Sequence, residues 1–278
     1  MDSSDTSRKK VGLALSGGAA RGLAHVGVLE VLHKEGIPID MIAGTSAGAI
    51  VGALYASCLD CDIVKQFVLN TDWRKLTPLI DPSFKLSGFI KGGRIKNLLA
   101  KYLGGDIDFD KLKMPFACVA TDIDSGEEVV INSGPVTEAL RATISIPGIF
   151  TVVKHQERYL VDGGLTTPVP VEVIKRMGAD FVIAVNVNPP VTDRMGKASK
   201  ARAKAHKEPN ILQIIMQTIY IATYAVARNS LINADIVIEP DLKGIGAGDF
   251  QKAGEMILMG QQAATDVIPK IKRKLKEL

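Results

Sequence analysis

Ser46 stands in Gly44-Thr45-Ser46-Ala47-Gly48, a G-x-S-x-G pentapeptide with an apolar run before it and a helix-compatible run after it. A serine on a sharp strand-to-helix turn takes a strained backbone conformation. The positions two before and two after it must therefore lack side chains that would collide. Gly44 and Gly48 meet that requirement. The helix that starts at Ala47 offers unpaired N–H groups and a positive dipole end to negative charge developing nearby. Such a serine is built for nucleophilic attack on an acyl carbonyl. The same pentapeptide also occurs as a plain glycine-rich turn with a serine helix cap, so it needs supporting groups.

The first support is Ser16-Gly17-Gly18-Ala19-Ala20-Arg21-Gly22, a loop whose N–H groups can converge on an anion. A dinucleotide fingerprint needs glycines at i, i+2 and i+5, but from Gly17 the middle position is Ala19. The Ser46 turn also occupies the strand end where a ribose-binding acid belongs. A Walker loop fails because Leu23 follows Gly22 where a lysine is required. An oxyanion hole fits better, with Gly17, Gly18 and Ala19 N–H groups as donors, joined by that of Ala47. Arg21 either holds this loop or attracts a phosphate.

A serine hydroxyl also needs a group to take its proton, and histidine is the usual one. His25 and His33 fall in the first helix, His155 in a charged turn and His206 in a basic stretch, none well placed for the task. Carboxylates remain. Asp162 ends the apolar Tyr159-Leu160-Val161 in front of Gly163 and Gly164, while Asp122 and Asp124 have similar strand-end positions. Residue types and spacing do not rank the three.

These groups require a scaffold of strands that end together. Val11–Leu15, Ile37–Gly44, Phe116–Thr121, Val129–Asn132, Tyr159–Val161, Phe181–Val187 and Ile236–Ile238 read as strands. Helical periodicity falls over residues 22–35, 47–59, 137–143, 170–177 and 249–274. The alternation predicts an α/β fold, a three-layer sandwich with a mainly parallel central sheet wrapped by helices. Residues 1–10 read as a flexible tail and 11–278 as one domain, with the motifs confined to about 11–175. Asn70 to Asp110, broken by Pro78, Pro82, Gly88, Gly92, Gly93, Gly104 and Gly105, reads as a cap over the site. Residues 189–208 read as a mobile basic insertion and 209–278 as a C-terminal helical part.

The chain of 278 residues is 46% hydrophobic and 23% charged, enough apolar material for a packed core. Its formal charge of +4 is too small to argue for nucleic acid as a partner. Cys58 and Cys61 form one C-x-x-C pair, but no second Cys/His pair stands at ligand spacing, so no metal site is expected. The three cysteines read as reduced thiols of a cytoplasmic protein. The N-terminus carries no apolar signal region. The uncharged run from Pro209 to Ala227 is interrupted by amides and threonines and reads as an amphipathic helix. Asn210, Gln213, Gln217, Tyr220 and Tyr224 share one face, and Leu212, Ile215, Ile219 and Ala222 the other. The apolar face reads first as core-facing, with peripheral membrane-surface contact as the alternative.

Taken together, the Gly17 to Gly22 loop, the Gly44 to Gly48 elbow and Asp162-Gly163-Gly164 resemble the patatin-like phospholipase family in motif, order and approximate spacing. Ala120-Thr121-Asp122, Ser145 to Phe150 and Ala234 to Pro240 also look like bacterial members. The resemblance implies a Ser–Asp dyad of Ser46 and Asp162, with the glycine loop as oxyanion hole. Arg21, Gly22, Gly44, Gly48, Gly163 and Gly164 would support it. It implies a hydrolase acting on phospholipids, lysophospholipids or related acyl esters, without a cofactor or metal. Acyltransferase or thioesterase chemistry on the same elbow is the alternative. Members commonly carry a third glycine where this chain has Ala19, whose methyl group narrows the loop while leaving its N–H available.

Overall fold

A computed structural model describes residues 8–72, 93–188, 190, 208 and 211–277. The expected N-terminal tail, the cap and the basic insertion therefore lie wholly or partly outside the described residues. Eight strands form one sheet: β1 Val11–Leu15, β2 Met41–Thr45, β3 Phe116–Asp122, β4 Glu128–Ile131, β5 Val153–His155, β6 Arg158–Asp162, β7 Phe181–Val185 and β8 Ile236–Ile238. The helices are α1 Ala24–Lys34, α2 Ala47–Cys58, α3 Cys61–Asn70, α4 Gly93–Leu103, α5 Val136–Thr143, α6 Val171–Arg176, α7 Ile211–Ser230 and α8 Ala253–Lys276.

β3, β2, β1, β7 and β8 run parallel, as the alternating sequence predicts. β1, β2, β3 and β7 are buried along their whole length, the pattern of parallel strands covered on both faces. Leu13, Leu15 and Ile42 point into the larger apolar layer, shared with α1, α2 and α8. Ala14, Ala43, Ala117 and Ala184 point into the other layer, where α6 and α7 pack. Small side chains on that face let α6 come close: a Cβ on Gly12 would lie 2.2 Å from Ile174 Cγ2. The three-layer α/β expectation holds.

Antiparallel pairing is confined to one end. β4 and β6 both pair with β3, and β5 pairs with β6. Registers fix the arrangement. β4 lies along Cys118 to Thr121, so β2 opposite Phe116 to Val119 and β6 opposite Ala120 to Asp122 must share the other flank of β3. They run toward each other.

Three elements depart from the sequence reading. α3, capped by Asp60 accepting from Asp62 N, and the short β5 were not anticipated. Gly93–Leu103, inside the stretch read as irregular, is a helix whose Ile95, Leu99 and Leu103 are buried. Its two glycine neighbours at 104 and 105 take positive φ just past its end, so they terminate the helix rather than break it. The glycine loop itself is a tight 3-10 turn over Ala19–Leu23 that leads directly into α1.

Candidate active site

Ser46 sits between β2 and α2 with φ +52° and ψ −121°, outside the usual backbone regions for a side-chain-bearing residue. The glycines explain how the turn closes. A Cβ on Gly44 would lie 2.5 Å from Ala49 Cα, and one on Gly48 would lie 2.4 Å from the Leu15 carbonyl oxygen. The Ser46 carbonyl accepts from Ala49 N at 3.0 Å and Ile50 N at 3.2 Å. Its N–H donates to Thr143 Oγ1 at 2.9 Å, and Thr143 Oγ1 in turn donates to the Val119 carbonyl. Thr143, fully buried at the end of α5, carried no signal in the sequence that tied it to the site.

Ser46 Oγ donates to Asp162 Oδ2 at 2.6 Å. The other carboxylate oxygen accepts from Gly164 N at 2.8 Å, and the Asp162 backbone is pinned by Ser145 O and Thr121 Oγ1. Gly163 is obligatory next to it, since a Cβ there would lie 2.1 Å from Val119 O. Burial pushes the Asp162 carboxyl up to about 6, with the hydrogen bonds from Ser46 and Gly164 pulling the other way. The rival acids go elsewhere. Asp122 accepts from Asp124 N to shape the β3–β4 turn and faces Arg158 at 3.5 Å.

The described histidines are engaged in structure. His25 is fully buried with Nε2 2.8 Å from the Ser16 carbonyl, and burial lowers its pKa to about 4, so the ring is neutral. His33 contacts Tyr55 Oη, and His155 lies on β5. His206 lies outside the described residues.

In the loop, Gly18 N–H and Ala19 N–H have no partner among the described residues, and neither does Ala47 N–H at the start of α2. Ala19 takes φ +51°, the conformation a third glycine would have adopted without strain. Gly17 corrects the sequence expectation: its N–H donates to the Pro168 carbonyl at 3.0 Å, which removes it from the set of open donors. Its carbonyl accepts from Ser16 Oγ and from Asn188 Nδ2, which ties the loop to the strand end after β7. Asn188, buried, went unremarked in the sequence because it belongs to no local motif. Arg21 is buried with Nε donating to the Ile245 carbonyl at 2.9 Å, so it anchors the loop against the segment before α8. Gly22 lets the loop meet the elbow, for a Cβ there would lie 2.4 Å from Ala47 Cβ.

Two cavities meet at Ser46. One is almost wholly apolar and runs past Ile50 and Val51 of α2, Phe67 of α3, and Leu98 and Leu99 of α4. The other holds Asp162, Gly18, Arg21 and Asn188, with Met216, Tyr220 and Thr223 of α7 as its far wall. The inward side of α7 is thus mixed: Tyr220 lines it with Ile219, which was read as core-facing, while Ile215 and Ala222, also read as core-facing, are exposed, as is Gln217 from the other face. Among the described residues no helix is long and apolar enough to cross a membrane.

A sequence model described as patatin-like phospholipase matches residues 13–175, more than half of the chain. An NTE family protein of Mycobacterium tuberculosis is 34% identical over 206 residues, covering 74% of this chain and 54% of that protein. A lysophospholipase of Debaryomyces hansenii is 28% identical over 285 residues, 94% of this chain but 18% of its own length. The chain thus spans about half the length, or less, of the curated relatives it matches. VipD from Legionella pneumophila shares the fold, with a TM-score of 0.63 at 14% identity over 95% of this chain and 67% of VipD.

Proposed function

The chain belongs to the patatin-like phospholipase family, and from that premise we propose that it is a serine lipid acyl hydrolase working through Ser46 and Asp162. One observation carries the reading: the Ser46 hydroxyl on its strained elbow meets a buried carboxylate at 2.6 Å. A carboxyl held near 6 is a better base than an exposed aspartate, yet it is ionised at neutral pH.

Asp162 Oδ2 takes the proton from Ser46 Oγ as the oxygen attacks the ester carbonyl. The tetrahedral oxyanion is received by the open N–H groups of Gly18 and Ala19, with Ala47 N–H at the start of α2. Collapse breaks the bond to the alcohol, which leaves with the proton held by Asp162, and the acyl group stays on Ser46. Water then gives a proton to Asp162 and attacks the acyl-enzyme, and the fatty acid departs as Ser46 regains its hydrogen.

The two cavities suit the two halves of such a substrate. The apolar one accepts an acyl chain, and the one bounded by Arg21, Asn188 and Tyr220 accepts the more polar alcohol. Phospholipids, lysophospholipids and related acyl esters fit this division. The reading takes residues 11–278 as one hydrolase domain, because β7 and β8, beyond the family match, extend the same sheet. Ser46→Ala and Asp162→Ala should each abolish release of fatty acid from a lysophospholipid while leaving the far-UV circular dichroism unchanged. A fully active Asp162→Ala protein would remove the dyad.

A further inference from the structure

On the outer side of α7, Ile211, Ile214, Ile215 and Ile221 are 72%, 46%, 44% and 52% exposed. With Thr218, Ala222 and Ala225, also exposed, they recur at three- and four-residue steps and form one continuous stripe. A helix face turned to water ordinarily carries charge, but α7 has none before Arg228. The opposite face of the same helix, through Met216, Tyr220 and Thr223, walls the cavity that holds Ser46. The stripe and the cavity that holds the reacting groups thus lie on opposite sides of one helix, about 10 Å across.

The sequence leading into α7 is basic. Lys197, Lys200, Arg202, Lys204 and Lys207 fall within eleven residues that contain no acid, and this run ends four residues before Ile211. Cations next in sequence to an apolar helix face are the two parts of an interfacial anchor: the charges find an anionic surface and the apolar side chains enter it. We propose that the outer face of α7 docks on an anionic lipid surface and so keeps the Ser46 cavity, on the other side of that helix, beside it. This rests on the hydrolase reading only for its purpose, which is to bring the cavity to lipids that stay in a membrane. One-sided apolarity marks a helix that lies on such a surface rather than one that crosses it.

The test uses the full chain and a variant carrying Ile211→Ser, Ile214→Ser, Ile215→Ser and Ile221→Ser, with single Ile214→Glu as a milder second variant. Flotation is measured with vesicles of phosphatidylcholine alone and of phosphatidylcholine with phosphatidylglycerol. Hydrolysis of a short-chain, water-soluble ester and sedimentation velocity are measured in parallel. The wild type should float with the anionic vesicles and far less with the neutral ones. Both variants should lose at least tenfold in bound fraction while their soluble-ester kcat/KM stays within about twofold. Docking is overturned if the wild type fails to float with anionic vesicles, or if the variants float equally well. It is also overturned if the wild type sediments as a dimer that the variants dissolve, for the stripe would then be covered by a second copy. A wild type that floats but does not cleave the soluble ester removes the hydrolase reading and leaves the docking face standing.

Discussion

Thr45 and Asp162 occupy consecutive stations on one flank of β3, Thr45 opposite Val119 and Asp162 opposite Ala120. β2 arrives from one direction and β6 from the other, so the two chains meet end to end. The side chains at this junction, Ser46 and Asp162, are in contact at 2.6 Å. Their distance is set by sheet register, which is fixed by many backbone hydrogen bonds at once. The proposed dyad of Ser46 and Asp162 would depend on that rigidity.

The Asp162 carboxyl must be ionised to accept the serine proton, and its pKa is raised to about 6. For a soluble ester, kcat/KM should therefore rise tenfold per pH unit below about 6 and level off above it. A pH–rate profile from 4 to 9 checks this, with Asp162→Asn expected to lower the plateau by ~10³-fold or more. A flat profile for the wild type across pH 5 to 7 would show that another group takes the proton.

The same shift makes a prediction about stability with the opposite sign from a salt-bridged carboxylate. Asp162 rises from 3.8 to about 6 on folding, so the folded protein holds its proton more tightly. The ionised form then costs stability, beginning near pH 4 and reaching its full effect, ~3 kcal/mol at most, above pH 6. Asp162→Asn should melt several degrees higher than the wild type at pH 8, and the gap should close as the pH falls toward 4. Thermal melts at the two pH values decide it, and equal melting temperatures at pH 8 would count against a strained ionised carboxylate.

Thr143 is predicted to be a positioning residue. Its hydroxyl joins the N–H of Ser46 to the carbonyl of Val119, the β3 residue opposite Thr45. Thr143→Val keeps the shape but leaves two buried backbone groups unpaired, at ~1–3 kcal/mol each. The elbow should loosen, with kcat falling ~10-fold or more and KM little changed, while Thr143→Ser restores most of the rate. A loss of stability in Thr143→Val without a change in kcat would reduce Thr143 to a packing role.

Much of this site was legible because its parts are local. The elbow glycines, the loop and the Asp-Gly-Gly turn each announce a backbone that comes too close to a neighbour for a Cβ, and the distances at Gly44, Gly48, Gly163 and Gly22 bear that out. The parallel strands were legible from their unbroken apolar runs. What escaped lies in tertiary pairing. Nothing within a few residues of Thr143 or Asn188 says that they will meet Ser46 N–H and Gly17 O, from 97 and 171 residues away. Gly17 was misjudged for the same reason, since its acceptor, the Pro168 carbonyl, arrives from a distant loop. In α7 the amphipathic period was plain, yet hydropathy alone did not fix which way it turns: Ile219 and Tyr220 line the cavity, while Ile215 and Ile221 stay exposed.

α1 and α8 cross with no side chain between them: a Cβ on Gly27 would lie 1.9 Å from Ile257 O, and one on Gly260 would lie 2.0 Å from Ala24 O. Residues 13–175, which carry the loop, the elbow and the Asp-Gly-Gly turn, thus close one side of their first helix against a helix that begins at Ala253. During synthesis α1 keeps the side that carries Gly27 bare until Ile257 to Gly260 have followed it. The helix behind the glycine loop is in this sense completed late, and a chain cut before α8 would leave the loop on a helix bare along one side.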